Sequence, residues 1–261
     1  MIVQMRPLFS EGYILRQEML AALSDQAFSL GELMVTGFGD GFLTGCNLST
    51  TKEIIQMGPG AILFGGKLCL LTESLSIAYY PTDALCICKL RFSEEYQSNT
   101  CVYREADMIL TGSDTPNNNE LEVCRFKLQS GAQLRYKYDD FEDRSTEYDT
   151  LNTICAPFSA HIGNSLAPEL LRVYARELLE ANPSDPLDKE FCLQALSTHT
   201  ALSKEVLVAY IRLRTGNDEL KSSCSNAEIY DALLKLLKNV RQGMDPSHKR
   251  SKRRQWKLDV D

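Results

Sequence analysis

One change of texture along the chain restricts its fold more than any single motif. From Gly31 to about Leu134, short apolar runs alternate with turn residues. From Ser165 to Gly243, leucines instead recur at three- and four-residue intervals. The first pattern belongs to strands, whose side chains alternate between two faces, and the second to helices turning every 3.6 residues. The runs Leu33–Val35, Phe42–Leu43, Ile54–Met57, Ala61–Phe64, Leu68–Leu71, Ser76–Tyr80, Ala84–Arg91, Cys101–Tyr103, Met108–Leu110, Leu121–Leu128 and Gln133–Tyr138 read as strands. Met57-Gly58-Pro59-Gly60 and Thr115-Pro116-Asn117-Asn118-Asn119 are turn signals between them. Leu121–Leu128 alternates with polar residues and predicts a strand with one wet face.

The helical signals lie on either side. Residues 10–29 read as a helix capped by Ser10, with Ile14, Leu15, Met19, Leu23 and Ala27 on one stripe. In the second half, Leu170, Leu171, Tyr174 and Leu178 follow Ser165-Leu166-Ala167-Pro168-Glu169. Asp185-Pro186 opens another helix, Ser203 a third that ends at Gly216, and Ser225 or Asn226 a fourth that ends near Gly243. Short links between four helices predict a compact antiparallel bundle. The expected class is α+β: an N-terminal helix and an antiparallel β-rich sandwich or barrel, followed by a C-terminal helical bundle. The expected division is 1–150 for the helix and β-rich part, 151–243 for the helical part and 244–261 for a basic tail.

The 261 residues, 44% hydrophobic and 24% charged, suffice for a buried core and exclude a disordered chain. No apolar run approaches the roughly 18 residues that cross a bilayer. Met1–Ser10 has a single Arg and no apolar leader segment, so a protein without membrane insertion, made in the cytosol, is expected.

The chemistry-bearing residues do not assemble into a catalytic pattern. The nine cysteines, Cys46, Cys69, Cys86, Cys88, Cys101, Cys124, Cys155, Cys192 and Cys224, include no Cys-x-x-Cys pair. Cys86 and Cys88 share one strand face but lack the second pair that a structural zinc site needs. Reduced core thiols are the expectation, with no metal and no cofactor. Of the three histidines, His161 lies near Cys155 and His199 near Cys192 in sequence, while His248 sits in a charged tail; no nucleophile elbow accompanies them. Gly37-Phe38-Gly39-Asp40-Gly41 lacks the third glycine of a dinucleotide loop, because Phe42 stands there. Gly65-Gly66-Lys67 matches the end of a phosphate loop, but Ala61 and Leu68 replace its glycine and hydroxyl residue. The expectation is therefore no catalytic residue and no enzyme. Asp139–Asp149, with six acids and one base, reads as a solvated acidic loop, with a cation or a basic partner as the alternatives.

Residues 244–261 carry six bases and three acids, which leaves a net charge of −10 on the rest of a chain whose total is −7. Lys249, Arg250, Lys252, Arg253 and Arg254, with the single tryptophan Trp256, are the candidate partner-binding residues. Their cations would meet an acidic surface and the indole would anchor in a groove. Nucleic acid is disfavoured as a partner, because the acidic body repels phosphate.

Two segments carry a resemblance. Phe42-Leu43-Thr44-Gly45-Cys46-Asn47-Leu48-Ser49 and Ile54–Leu68, which contains Met57-Gly58-Pro59-Gly60 and Gly65-Gly66-Lys67, resemble the N-terminal part of bacteriophage and prophage tail proteins of the baseplate and tail-fibre class. Glu120–Leu128 and Arg135–Phe141 are similar to proteins of prophage tail regions in Gram-positive bacteria. The resemblance spans about residues 30–145. It implies a structural, non-enzymatic component of a phage or phage-like tail or baseplate that docks with other tail proteins. Assembly in the bacterial cytoplasm would precede its place in a particle, and homo-oligomerisation is left open. A nucleic-acid accessory protein using the basic tail, or an enzyme with a site assembled from distant residues, are the alternative classes.

Overall fold

A computed structural model describes residues 12, 14–99, 101–112, 117–216, 220, 221 and 223–244. In chain order the elements are α1 (Gln17–Met34), β1 (Gly41–Gly45), β2 (Leu48–Thr50), β3 (Ile54–Met57), β4 (Gly60–Phe64), β5 (Lys67–Leu71), β6 (Leu75–Ala78) and β7 (Leu85–Phe92). They continue with β8 (Tyr96–Gln97), β9 (Val102–Tyr103), β10 (Ala106–Thr111), β11 (Glu120–Lys127), β12 (Phe158–Ala160), β13 (Gly163–Ser165), α2 (Pro168–Glu180), α3 (Pro186–Ser197), α4 (Lys204–Thr215) and α5 (Asn226–Arg241). The class is α+β. Among the described residues no sheet closes into a barrel: five strands run in the order β13-β12-β1-β4-β5, three as β10-β7-β11, three as β2-β3-β6, and β8 pairs β9.

The turn chemistry explains much of this sheet order. Phe64 pairs with Lys67 across a two-residue turn in which Gly65 and Gly66 have φ of 60° and 72°. Two consecutive positive φ angles suit a tight hairpin whose twist matches its strands. Asp40 Oδ2 accepts the Gly65 N–H at 3.0 Å, so the glycine-rich stretch near Phe42 caps this turn and cradles no phosphate. Strands β3, β4, β5, β7 and β11 lie where the apolar runs predict them. Leu33 and Met34 instead close α1, since Leu30, Leu33 and Met34 sustain helical spacing up to Gly37, whose φ is 82°. Helix α1 begins after Arg16, and Ser10, its expected cap, lies outside the described residues. Gln133–Tyr138 forms no strand, only a bridge between Arg135 and Thr150.

Strand β12 runs parallel to β1, with Phe42 opposite Phe158; it and β13 are too short, at three residues each, to give a period. Strand β11 is wetter on one face at Glu122, Arg125 and Lys127, as its alternation predicts. A register shift between Glu122 and Cys124 buries Val123 and Cys124 together.

The apolar residues gather in two clusters. The three larger sheets enclose Phe42, Ile55, Met57, Tyr79, Leu90, Phe92 and Phe126, and the helices α2–α5 enclose Leu170, Tyr174, Leu178, Phe191, Leu207, Tyr230 and Leu237. Phe158 packs against both. The helix starts follow the capping rules. Asp185 accepts the Leu187 N–H at 2.9 Å, Ser203 accepts from Val206 at 3.4 Å, and Ser225 and Glu228 bond each other's backbone N–H in a capping box. Gly216, at φ 68°, ends α4 in the left-handed conformation.

Charged groups inside these clusters are paired. Lys89 Nζ lies 3.3 Å from Glu120 Oε2, each side chain 2% exposed, and Arg91 donates to the other oxygen of Glu120. In the helical half, Asp188 and Arg214 are fully buried and joined at 2.5 and 2.8 Å; Tyr210 donates to the same carboxylate.

Candidate docking surfaces

The tail residues Lys249, Arg250, Lys252, Arg253, Arg254 and Trp256, expected to bind a partner, lie outside the described residues. Three other regions bear on how this molecule meets others.

The first is α1. At 100° per residue, Met19, Leu20, Leu23, Ala27, Leu30, Leu33 and Met34 fall within an arc of about 140°. Glu18, Asp25 and Glu32, seven apart, occupy the opposite side. A helix patterned in this way normally lays its apolar stripe on a core. Here no residue of α1 is buried: Leu33 is 70% exposed, Met34 74% and Phe28 71%. The helix meets the body near Gly31, where an added Cβ would lie 3.2 Å from Leu68 Cδ2 in β5. Its stripe therefore has no cover within the described residues.

The second is the segment Asp139–Asp149, which exposes Asp139, Asp140 and Glu142 as its charge predicts but is also anchored to the core. Phe141 is fully buried between Tyr174 and Tyr230, with ring centroids 5.2 and 4.6 Å away. Its N–H donates to Glu177 Oε1 at 2.6 Å, and its carbonyl accepts the Tyr230 hydroxyl. Arg135 donates to both oxygens of Asp143 at 2.6 Å, holding that carboxyl below its ordinary value. Glu147 pairs with Lys127 and Glu142 with Lys238. Several of these acids thus fasten the segment to sheet and helices. The aromatic at position 141 is the signal that charge counting missed.

The third is a cleft of about 840 Å³ between β1, the 136–144 segment and the start of α2. Phe42, Leu48 and Phe158 supply apolar wall; Lys137, Arg144, Arg172 and His199 supply the basic groups. Arg172 is committed to Glu169 at 3.2 Å and to the Thr198 carbonyl at 3.0 Å. The Arg144 guanidinium lies 4.4 Å above the Tyr138 ring, and its buried Nε has no hydrogen-bond partner among the described residues.

The thiols and imidazoles behave differently. Burial raises the Cys46 thiol to about 11. Burial and then the nearby Asp188 carboxylate raise Cys192 to about 12, so both are held protonated at neutral pH. Cys124 is pushed up by its hydrogen bond with Cys88 and by burial. His161 stands edge-on to Phe38 at 6.0 Å. Among the described residues no three His, Cys, Asp or Glu side chains are placed to hold a metal ion, and no helix is long and apolar enough to cross a membrane.

The fold these elements define is an α+β arrangement of several small sheets with a segregated group of helices. No family model matches the sequence, and no curated protein matches it. Among solved structures, the chain is similar to a crystal structure of TssK, with 10% identity, a TM-score of 0.45, and coverage of 91% of this chain and 72% of that one. It is also similar to a chain of the type VI secretion system TssK-TssF-TssG baseplate subcomplex. That match has 11% identity and a TM-score of 0.42, and covers 92% of this chain and 99% of that one. A chain of the baseplate complex from the type VI secretion system matches at 9% identity and TM-score 0.42, covering 92% and 100%.

Proposed function

We propose that the protein is a structural, non-enzymatic component of a phage or phage-like tail or baseplate and acts by docking to other proteins of that assembly. Two of the similar chains come from structures of type VI secretion system baseplate complexes, and a comparable position is the one proposed here. The observation that carries the docking reading is α1, an amphipathic helix whose apolar stripe is left uncovered by the described residues of its own chain. A monomeric protein gains nothing from exposing such a stripe, whereas an assembly protein uses it as an interface. Assembly in the bacterial cytoplasm followed by residence in a particle belongs to the same reading.

The test is a Leu23→Lys, Leu30→Lys double variant. Both side chains are exposed, so its thermal melt should stay within about 0.5 kcal/mol of the parent. Particles or baseplates purified from cells expressing the gene cluster should contain the parent and lack the variant. Equal incorporation of the two would remove α1 as the docking surface. Particles free of the parent protein would remove the assembly reading itself.

A further inference from the structure

We propose that the cleft between β1 and α2 is a binding site for a short acidic peptide segment of a partner protein, one that alternates carboxylate with apolar side chains. This site is independent of α1 and stands whether or not α1 is an interface.

Charge is the first argument. On a chain of net charge −7, this cleft gathers Lys137, Arg144, Arg172 and His199 around one acid, Glu169, which Arg172 already engages. Lys137 and Arg144 form no ion pair among the described residues; each instead lies against a tyrosine ring, Lys137 at 5.9 Å from Tyr136 and Arg144 at 4.4 Å from Tyr138. The nearest acid in sequence to Arg144 is Asp143, and both its oxygens are taken by Arg135. Arginines packed into protein are normally matched to carboxylates, and a buried guanidinium N–H without an acceptor is unfavourable. The Arg144 Nε is such a group. An incoming carboxylate would pair with the guanidinium from the cleft that Arg144 lines, with the ring of Tyr138 keeping its plane in position.

Size and lining select the occupant. A volume of about 840 Å³ is far larger than one inorganic anion needs and suits a few residues of peptide. One wall is hydrocarbon, from Phe42, Leu48 and Phe158, so the ligand must offer apolar groups beside its charges. A phosphate backbone would leave that wall bare, and the strongly acidic remainder of the surface would repel a polyanion. A peptide with acids on alternate positions meets both conditions.

The experiment uses the full chain and a fluorescein-labelled hexapeptide alternating glutamate with leucine and phenylalanine, followed by fluorescence anisotropy. Binding should saturate and weaken as NaCl rises from 50 to 300 mM (buffer settings of about one and a half to under one nanometre screening length). Arg144→Gln and Lys137→Gln should each weaken it about tenfold, the worth of one charge-assisted hydrogen bond. Arg144→Lys should recover part of the loss, and Lys235→Gln, outside the cleft, should leave binding unchanged. Hydrogen exchange on the parent protein keeps the test independent of variant folding: the peptide should slow exchange in 42–48 and 136–144. A lysine-for-glutamate peptide binding equally well would overturn the proposal. So would a six-nucleotide oligothymidylate displacing the peptide, unchanged affinity in the Arg144 and Lys137 variants, or protection that falls elsewhere.

Discussion

Replacing Asp188 with alanine should destabilise the helical half more than almost any other single change. The carboxylate is wholly buried and accepts from Arg214 Nε at 2.5 Å, from Arg214 Nη2 at 2.8 Å and from the Tyr210 hydroxyl at 2.8 Å. Tyr210 continues the chain of contacts to Tyr174 at 3.1 Å, and both phenols are pushed well above their ordinary range, chiefly by burial. Without Asp188, the acid left beside Arg214 Nη1 is Asp185, 24% exposed and 3.2 Å away. Leaving a buried cation short of its counter-ion costs about 3–5 kcal/mol. With a urea dependence of about 2 kcal/mol per molar, the midpoint should fall by roughly 2 M. Urea titration followed by helical circular dichroism at 222 nm reads this directly. The reasoning carries a second requirement. Removing both charges together, as Asp188→Leu with Arg214→Met, should return the midpoint to within about 1 M of the parent, because an apolar pair has no desolvation cost. A single variant that loses under 1 kcal/mol, or a double variant as unstable as the single, would refute the account.

Two further outcomes follow from the other half and from the junction. Burial alone would raise the Glu120 carboxyl, but hydrogen bonds from Arg91, Asn117 and Lys89 outweigh it and hold it at about 2, below the ordinary 4.5. A lowered carboxyl stabilises the fold above its ordinary value and loses that contribution as pH falls toward 2, here about 3 kcal/mol. Calorimetric melting between pH 5 and 2 should therefore fall more steeply for the parent than for Glu120→Gln, and parallel slopes would contradict it. Phe141→Ala should cost about 3–5 kcal/mol by emptying a filled core position. It should also make 139–149 the first segment cut by a glutamate-specific protease, whereas the parent resists cleavage there; equal digestion rates would show that Phe141 does not fasten the segment.

Legibility of the fold in the sequence varied with how local its causes are. Asp185-Pro186, Ser203 and Ser225 announce helix starts because a cap is a contact between residues two or three apart. Ile54–Met57 announces β3 because side-chain alternation is likewise local. The end of α1 is hard to read because Leu33–Val35, taken alone, has no period, and only its continuity with Leu30 identifies the helix. Strand β12 is held by pairing with β1, more than a hundred residues earlier, so no window around Phe158 contains its cause, and β13 in turn is held by β12. The acidic segment hid its anchor for the opposite reason: six charges outvote one phenylalanine in any composition-based reading. The cleft was illegible altogether. Its walls include residues 42–48, 136–138, 144, 158, 167–170, 172 and 199, which only the folded chain brings together.

The parallel pairing of Phe42 with Phe158 also dictates an order of events as the chain emerges from the ribosome. Strands β1, β4 and β5 can form their hairpins as soon as residue 71 is out, since their contacts are close in sequence. The other side of β1 then waits, with its backbone groups unpaired, while nearly ninety further residues (about five to twenty seconds of synthesis) are made. Over that interval the nascent chain presents an open strand edge, the feature through which half-made β proteins pair with the wrong neighbour. Only when Phe158 arrives is the edge closed, and the helices made after it then pack against the same residue. A strand of three residues in the middle third of the chain therefore acts as the latch of the first third.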